Sequence, residues 1–459
     1  MGVCASKFYA SDGSIQTLHR RVRPTDEQIE DQKVYWNDLA DFLKGDLREK
    51  SGVAISHWLQ GSYKFGTQVR PPKKGAEFDI DLGVYFGWEG KCDDGEFSAT
   101  ELKSMVQDSL SAYANDPATD GLRVTDPKEF CSRIIFDGDF HIDVPAYHES
   151  DDERALASAS DGFVESDPRK IYDWWVGVFE SETQRDQARR IVRYLKMWAG
   201  LKFNSDEVTP PSSIFLTVLV GFVFPDVAAE NPVGDDERLA ATVKAISSYF
   251  DSSDDNSVCN PANEKEDLNR LGDDFANFEA KLEELNGIAE RALAAKEAAE
   301  AAEIWSEAFD HFFPAPAEEE TEAALAKSTA VLAPVEPEVA IRVTLPSGKV
   351  TNLRNSALNV PAGSKLRFEL VNYHALPANS LVRWVVRNEG AHAESVNDMG
   401  HSAGRGRSTE EETAEYAGRH YMDVTITRNG HLIGRKRVPV SVINANFTKR
   451  LKRLFYRGK

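Results

Sequence analysis

Three aspartates stand in strand-like segments of the sequence and could hold metal ions. Asp79 and Asp81 are two residues apart in the alternating segment 77–86, so both carboxylates project from one face of a strand. Adjacent carboxylates repel one another unless a cation lies between them, and Mg²⁺ binds carboxylate oxygens together with substrate phosphates. Asp143, between two apolar residues of a later strand, adds a third carboxylate and allows a second ion. The pattern predicts a two-metal site in which Asp79 and Asp81 hold both ions and Asp143 completes one.

A glycine-containing turn and a basic helical face supply candidate phosphate ligands. Gly61 permits close approach of the backbone, and the Ser62 hydroxyl with neighbouring N–H groups is suited to cradling nucleotide phosphates. Farther along the chain, three cations share one helical face at i, i+4 and i+7: Arg189, Arg193 and Lys196. We expect Lys196 to neutralise triphosphate charge. Ser213 begins the next predicted helix, where its hydroxyl and the helix N-terminus are suited to binding phosphate.

Taken singly, each of these features is common in proteins without a catalytic site. An Asp-x-Asp pair is frequent at solvated strand edges, and a basic helical face is usually solvated. Asp137 and Asp139 compete with Asp143 for the third position, although they lie in a turn, where aspartate is favoured for local hydrogen bonding. His141 is expected to be a polar strand residue. The order of the features favours the two-metal interpretation.

The predicted elements define an α+β protein with a separate β-rich C-terminal part. Residues 1–170 combine helices with the strands that carry the acids, and residues 171–312 form a helical lobe completing the active-site cleft. The Ala-, Pro- and Glu-rich segment 313–337 is predicted to be a linker. Residues 338–446 contain short runs rich in Val, Ile and Thr between turn residues, which predicts a small all-β domain in the manner of a sandwich. A basic tail follows at 447–459.

At the candidate site the sequence resembles the bacterial cyclic GMP–AMP synthase-like enzymes, the CD-NTase or SMODS nucleotidyltransferases of CBASS anti-phage defence. The similar segments are 60–67, 78–82, 141–145, 193–198 and 211–214. The resemblance implies a polymerase-β-like nucleotidyltransferase core with a helical lobe. It implies catalytic and metal-binding roles for Asp79, Asp81 and Asp143. It implies nucleotide binding by Gln60, Gly61, Ser62, Lys196 and Ser213.

The implied activity is the joining of ATP, GTP or other nucleoside triphosphates into a cyclic di- or trinucleotide second messenger, with release of pyrophosphate. The implied cofactors are two Mg²⁺ ions, with Mn²⁺ as a substitute, and a separate effector protein reads the product. Segments 381–390, 404–406 and 415–421 resemble the adenylyl/guanylyl cyclase and SMODS C-terminal sensor domain (AGS-C). In that domain five side chains are suited to stacking on a base or gripping phosphate of a small ligand: Trp384, Arg387, Arg405, Arg419 and Tyr421. The alternative is that these aromatics are core residues and the arginines are solvated.

The composition restricts the partners. A net charge of −21 disfavours binding to duplex nucleic acid, because such binding depends on neutralising phosphates. Four scattered cysteines fit a reducing cytoplasm, which the resemblance implies is bacterial, and no apolar run is long enough to predict stable membrane association. Two alternative functions share these features. One is a linear nucleotidyltransferase, such as an adenylyltransferase acting on RNA or protein, and the other is a binding protein whose N-terminal half is inactive.

Overall fold

The computed structural model describes residues 2–13, 16–119, 121–136, 140–151, 153–203, 208–229, 233–252, 255–328 and 334–443. The helices within these ranges are α1 (Ala5–Phe8), α2 (Leu18–Val22), α3 (Asp26–Ser51), α4 (Gly61–Phe65), α5 (Ala99–Ala114), α6 (Pro168–Gly177), α7 (Glu182–Lys202), α8 (Ser213–Ala229), α9 (Asp235–Asp251), α10 (Phe275–Ala294), α11 (Ala298–Phe309), α12 (Glu318–Ser328) and α13 (Ala391–Ser395). None of them is long and apolar enough to cross a membrane.

The strands fall into an N-terminal and a C-terminal group. The first group is β1 (Ala54–Gln60), β2 (Phe78–Gly87), β3 (Leu122–Val124), β4 (Ser132–Phe136), β5 (Phe140–Val144), β6 (Ala146–Glu149), β7 (Arg154–Ala157), β8 (Phe163–Glu165), β9 (Cys259–Asn260) and β10 (Asn263–Asp267). The second group is β11 (Val339–Thr344), β12 (Val350–Arg354), β13 (Ala357–Pro361), β14 (Ser364–Leu370), β15 (Ser380–Glu389), β16 (Gly400–Arg405), β17 (Thr409–Ala414), β18 (Gly418–Arg428) and β19 (His431–Ile443).

The described residues form two compact units. One unit is residues 19–286, and the other combines the residues up to 18 with those from 287 onward. The predicted α+β fold class with a β-rich C-terminal part is confirmed. The predicted domain boundaries stay a prediction.

In the unit of residues 19–286, β2 is the central strand of an eight-stranded sheet. The strand order is β3-β4-β5-β2-β6-β7-β8, and β1 pairs with β2 in antiparallel orientation. Both β5 and β6 run parallel to β2, β5 beside its first half and β6 beside its second half. The acids of β2 and β5 are therefore brought to neighbouring positions of one sheet.

Two capped helices cover this sheet. Thr25 and Gln28 form a capping box at the start of α3, and Ser98 and Glu101 form one at the start of α5. Such caps satisfy backbone N–H groups that have no partner within the helix. Apolar side chains of α3 and α5 pack against those of the sheet in one core that includes Leu39, Leu43, Ile80, Leu82, Leu102, Val106 and Ile142. This core fixes the strands that carry the candidate ligands.

The unit that contains the C-terminal residues is built on two sheets. A four-stranded sheet has the order β12-β11-β14-β17, and a five-stranded sheet has the order β13-β19-β18-β15-β16. Their inward side chains form a shared apolar core that includes Val339, Ile341, Phe368, Trp384, Val424 and Ile426. In the same unit Phe8 is fully buried, with its ring centroid 4.9 Å from that of Trp305 and 5.2 Å from that of Phe313.

The predicted linker and the predicted basic tail stand before and after the C-terminal strands in the sequence. The segment predicted as a linker contains helix α12, because its Glu- and Ala-rich stretch has high helix propensity. The predicted basic tail, 447–459, lies outside the described residues, as do Asp137 and Asp139.

Candidate active site

The three predicted aspartates lie together on β2 and β5. On β2, Phe78, Ile80 and Leu82 are buried in the core, so the alternating Asp79 and Asp81 project from the opposite face. The parallel register of the two strands sets Asp81 beside Asp143 and Asp79 beside His141. The sequence prediction placed the aspartates on these strands, and the register explains how they meet.

The chemistry of this cluster fits a metal ion. One ligand atom each from Asp79, His141 and Asp143 lies within 4.8 Å of the others. Burial, followed by the charges of Asp79 and Asp143, raises the pKa of the half-buried Asp81 to about 7. A carboxyl whose charge is disfavoured by neighbouring carboxylates is stabilised in its ionised form by a bound cation. Carboxylate oxygens with phosphate are also the ligand set that Mg²⁺ prefers.

Basic side chains balance part of the negative charge. Arg133 on β4 donates to Asp143, with 2.7 Å between its Nη2 and the Oδ2 atom, and Lys128 Nζ lies 3.3 Å from the same oxygen. Burial opposes ionisation of Asp143, but the hydrogen bond and charge of Arg133, with Lys128, lower its pKa below the ordinary value. The sequence analysis did not single out Arg133 or Lys128, because nothing in their spacing indicates contact with β5.

His141 is a candidate ligand that the sequence analysis interpreted as a polar strand residue. Its Nε2 lies 2.9 Å from Asp79 Oδ1 and its Nδ1 lies 3.0 Å from Glu77 Oε2. Burial would lower the pKa of His141, but the hydrogen bond to Asp79 and the charge of that carboxylate raise it. The signal was present in the sequence: His141 is two residues before Asp143, so both project from the same strand face.

The predicted turn places backbone beside Asp81. Gly61 has a φ of +55°, and a Cβ on it would lie 1.9 Å from Asp81 Oδ2. Glycine is therefore required here both by its left-handed conformation and by the close approach. Ser62 follows in the one-turn helix α4, and Thr67 N–H donates to its carbonyl oxygen at 2.9 Å, which closes the turn.

The side chain of Gln60, predicted to bind nucleotide, is hydrogen-bonded to two tyrosines. Its buried side chain donates through Nε2 to the Tyr85 hydroxyl at 3.0 Å, and its Oε1 accepts from the Tyr147 hydroxyl at 3.1 Å. The structure therefore favours a packing role for the Gln60 side chain over the predicted nucleotide contact. Its two tyrosine partners come from β2 and β6, which sequence spacing does not connect to it.

Lys196 lies within α7 and Ser213 is the first residue of α8. Lys196 Nζ donates to the carbonyl oxygen of Thr67 at 3.0 Å, so it lies at the turn that contains Ser62. Burial and the charge of Arg193 lower the pKa of Lys196 to about 8, against the opposing charges of the β2 aspartates. Ser213 is exposed at the first residue of α8. Nucleotide binding by Ser62, Lys196 and Ser213 stays a prediction.

In the C-terminal part, the structure corrects the prediction for two of the residues proposed to bind a ligand. Trp384 is fully buried and its indole N–H donates to the carbonyl oxygen of Arg407 at 2.9 Å. Arg387 is also buried, with its Nε 3.0 Å from Asp423 Oδ2 and its Nη1 donating to two backbone carbonyl oxygens. Trp384 therefore packs in the core and Arg387 has buried partners. The alternating sequence pattern of β15 does not show whether such side chains contact the core or a ligand.

The other three candidate ligand residues of this part remain accessible. Arg405 is exposed and lines a small cavity with Arg383 and Thr425. Arg419 is exposed, and the half-buried ring of Tyr421 lies beneath the guanidinium of Arg437, whose Cζ is 4.5 Å from the ring centroid. A ligand role for these residues stays a prediction.

Comparison with known families matches both parts of the chain. Residues 55–147 match the family described as "Cyclic GMP-AMP synthase DncV-like, nucleotidyltransferase domain", and this range contains all three aspartates. Residues 55–147 are therefore similar to the DncV-like nucleotidyltransferase domain. Residues 319–443 match the "Adenylyl/Guanylyl and SMODS C-terminal sensor domain". The two resemblances inferred from the motifs are confirmed, one for the catalytic range and one for the C-terminal part.

Relatives that match the whole chain or part of it have related names. A protein of Escherichia albertii named "Cyclic GMP-AMP synthase" is 27% identical over 457 residues, which cover 99% of this chain and 100% of the relative. A "c-di-GMP synthase" of Roseivirga ehrenbergii is 23% identical over 42% of this chain and 57% of the relative. The crystal structure of the Vibrio cholerae DncV cyclic AMP-GMP synthase with nonhydrolyzable GTP superposes with a TM-score of 0.53, at 22% identity, over 65% of this chain and 94% of that one. The structural likeness supports the shared fold.

Proposed function

We propose that this nucleotidyltransferase synthesises a cyclic di- or trinucleotide from nucleoside triphosphates by metal-dependent nucleotidyl transfer. The observation that carries the proposal is the placement of Asp79, Asp81 and Asp143 on adjacent strands, directly beside the Gly61 turn. Each transfer joins a ribose hydroxyl to an α-phosphate and releases pyrophosphate. The product would act as a second messenger, read by a separate effector in anti-phage signalling.

The aspartates of β2 and β5 would hold two Mg²⁺ ions, with Mn²⁺ as a substitute. When bound, such ions lower the pKa of the attacking hydroxyl and stabilise charge on the leaving pyrophosphate. In this scheme His141 orients Asp79 through the 2.9 Å contact between its Nε2 and Oδ1, and Arg133 orients Asp143. Both contacts keep the carboxylates aimed at one place, as the partners of metal ligands generally do.

The turn after β1 and the basic face of α7 would bind the triphosphate. Gly61, the residue before Ser62, lies beside Asp81, and Lys196 contacts the same turn through the carbonyl oxygen of Thr67. Ser213 would add a hydroxyl at the N-terminus of α8. Phosphate would then lie between these donors and the carboxylates, as two-metal transfer requires.

The relatives support cyclic products and purine substrates. These relatives carry names of cyclic GMP-AMP or c-di-GMP synthases, so a linear transferase acting on RNA or protein is not favoured. Solved neighbours contain GTP, ATP or the linear intermediate 5′ pppA(3′,5′)pG. We infer that ATP and GTP are the substrates to test first. We also propose Arg405, Arg419 and Tyr421 as contacts for a small ligand at the C-terminal domain.

The test is incubation of the full chain with labelled ATP, GTP, CTP and UTP and Mg²⁺, followed by phosphatase treatment and mass spectrometry. We expect a phosphatase-resistant cyclic product from the wild type and none from the Asp79→Asn/Asp81→Asn variant. Asp93→Asn, a change at an exposed carboxylate of a surface turn, is the matched control and should retain the product. Label transferred to protein or RNA instead of a small product would favour the linear transferase.

A further inference from the structure

A row of side chains in contact with one another continues along the sheet beyond the aspartates. The face of β2 that carries Asp79 and Asp81 extends through Gly83 to Tyr85, because alternate residues of a strand share a face. The ring of Tyr85 is stacked on that of Tyr147 from β6, with the centroids 4.7 Å apart. Further members come from β1, α4 and α6. In order, this aromatic row consists of Lys64, Trp58, Arg169, Tyr85 and Tyr147.

Arg169, the second residue of α6, joins the two halves of the aromatic row. Its Cζ lies 4.5 Å from the ring centroid of Tyr85 and 5.1 Å from that of Trp58. Its Nη1 donates to Glu149 Oε1 at 2.7 Å. A planar guanidinium is attracted to aromatic faces and can lie over two rings at once, whereas the ammonium of a lysine acts as a point charge. Among the described residues the charged partner of Arg169 is Glu149 and none of the three aspartates, so an effect of Arg169 on the active site must be indirect.

One end of the aromatic row holds the residue before the turn 61–67. Gln60 Nε2 donates to the Tyr85 hydroxyl at 3.0 Å, and Gln60 Oε1 accepts from the Tyr147 hydroxyl at 3.1 Å. The amide also lies directly against Gly83, where a Cβ would be 2.0 Å from Gln60 Nε2. Gly61 follows Gln60 in the chain. The placement of Tyr85 therefore determines where the backbone enters the turn.

The other end of the aromatic row holds the short helix inside the turn. Lys64 belongs to α4, two residues after Ser62, and its Nζ lies 3.9 Å from the ring centroid of Trp58. No carboxylate of the described residues forms an ion pair with Lys64, so aromatic rings provide the contacts of its charge. Because Arg169 lies over Trp58 as well as Tyr85, it connects both ends of the turn.

We propose that Arg169 is a positioning residue, which holds the turn 61–67 in place through the aromatic row. The inference rests on the proposed function, because its consequence for the reaction depends on phosphate binding at this turn. A shift of the turn by about 1 Å would misalign the phosphates with the carboxylates, and a misplacement of that size can cost about 100-fold in rate. Arg169 touches neither the substrate nor the metal ions in this scheme. It acts on the reaction through Gln60 and Lys64.

The test compares two arginines that share one acceptor. Arg169→Gln removes the contacts with both rings and the bond to Glu149. Arg154→Gln, the matched control, removes a 2.9 Å bond to the same Glu149 oxygen and leaves the aromatic row intact. Initial rates of pyrophosphate release from ATP and GTP with Mg²⁺, and melting temperatures, are measured on the full chain.

The two variants should lose a similar amount of melting temperature but differ in rate. Arg169→Gln should lower kcat about 10- to 100-fold. Arg154→Gln should stay within about threefold of the wild-type kcat. Arg169→Lys should recover only part of the rate, because an ammonium cannot lie over both rings.

Hydrogen exchange measures the turn itself, without substrate. In mass spectrometry of the full chain, the amides of residues 61–67 should exchange about 2- to 10-fold faster in Arg169→Gln, the factor that corresponds to loss of one hydrogen bond. Tyr85→Phe should give the same result, because it keeps the ring and removes the hydroxyl that accepts from Gln60. Arg154→Gln should exchange like the wild type in this segment.

Three outcomes would overturn the inference: wild-type exchange of the turn in Arg169→Gln, acceleration spread evenly over the whole sheet, or an equal loss of rate in Arg154→Gln. If exchange in the variants is as predicted but the wild type forms no cyclic product, the proposed function fails and the positioning of the turn by Arg169 stands.

Discussion

Replacing Gly61 by alanine should disable the site through a single carbon atom. The new Cβ would lie 1.9 Å from Asp81 Oδ2 and 3.0 Å from its Cγ. To reach an acceptable separation, the carboxylate must move by about 1 Å, and a displacement of that size can cost about 100-fold in rate. Alanine also pays about 1 kcal/mol for the left-handed conformation, because φ at this position is +55°.

A second glycine separates these two effects. Gly75 has a φ of +74°, but a Cβ on it would meet nothing within 4 Å. Gly75→Ala should therefore lose a similar amount of stability, a few degrees in melting temperature for a unit of this size, and keep its activity. Initial rates of pyrophosphate release and thermal denaturation are measured for both variants. The reasoning is refuted if Gly61→Ala stays within about threefold of the wild-type rate, or if Gly75→Ala loses as much activity.

Two further outcomes concern charge. In the C-terminal part, the carboxylate of Asp423 lies 2.9–3.1 Å from donor atoms of three arginines. Asp423→Asn should therefore lower the free energy of unfolding of that part by about 3–5 kcal/mol, measured with denaturant. A loss below about 1 kcal/mol would contradict the ion-pair account. Burial opposes ionisation of Asp423, but the arginines lower its pKa to about 2. The stability that the ionised carboxylate contributes is therefore complete above the pKa of about 3.9 in the unfolded chain, and it is lost as the pH falls toward 2. At the active site, burial and neighbouring acids raise the pKa of Asp81 to about 7, so Mg²⁺ binding should displace a proton. Calorimetry should show affinity falling about tenfold per pH unit below about pH 7, and equal affinity at about pH 6 and about pH 8 would contradict this.

The sequence was most informative where function depends on local spacing. Alternation along β2 predicted that Asp79 and Asp81 share a face, and apolar neighbours predicted that Asp143 belongs to a strand. The same period-two rule applied to β5 would have placed His141 beside Asp143. A histidine in a strand does not by itself indicate a ligand role, whereas its position two residues before Asp143 does.

Partners that come from distant strands could not be predicted in this way. Gln60 looked like a substrate contact, but its amide is held by tyrosines of β2 and β6. Arg387 looked suited to phosphate, but its guanidinium is paired with Asp423 on the neighbouring strand β18. Sequence spacing reports which face of an element a side chain occupies, whereas its partner depends on the register of strands far apart in the chain.

The central claim is that the product is a closed ring, and pyrophosphate stoichiometry tests it most directly. Closing a ring removes the pyrophosphate of every nucleotide, whereas a linear product keeps one terminal triphosphate. Pyrophosphate and incorporated nucleotide are measured in the same reaction of the wild-type chain with ATP, GTP and Mg²⁺. We predict one pyrophosphate for each nucleotide incorporated. A lower ratio of pyrophosphate to incorporated nucleotide, with a product from which phosphatase removes terminal phosphates, would contradict the account and indicate linear transfer.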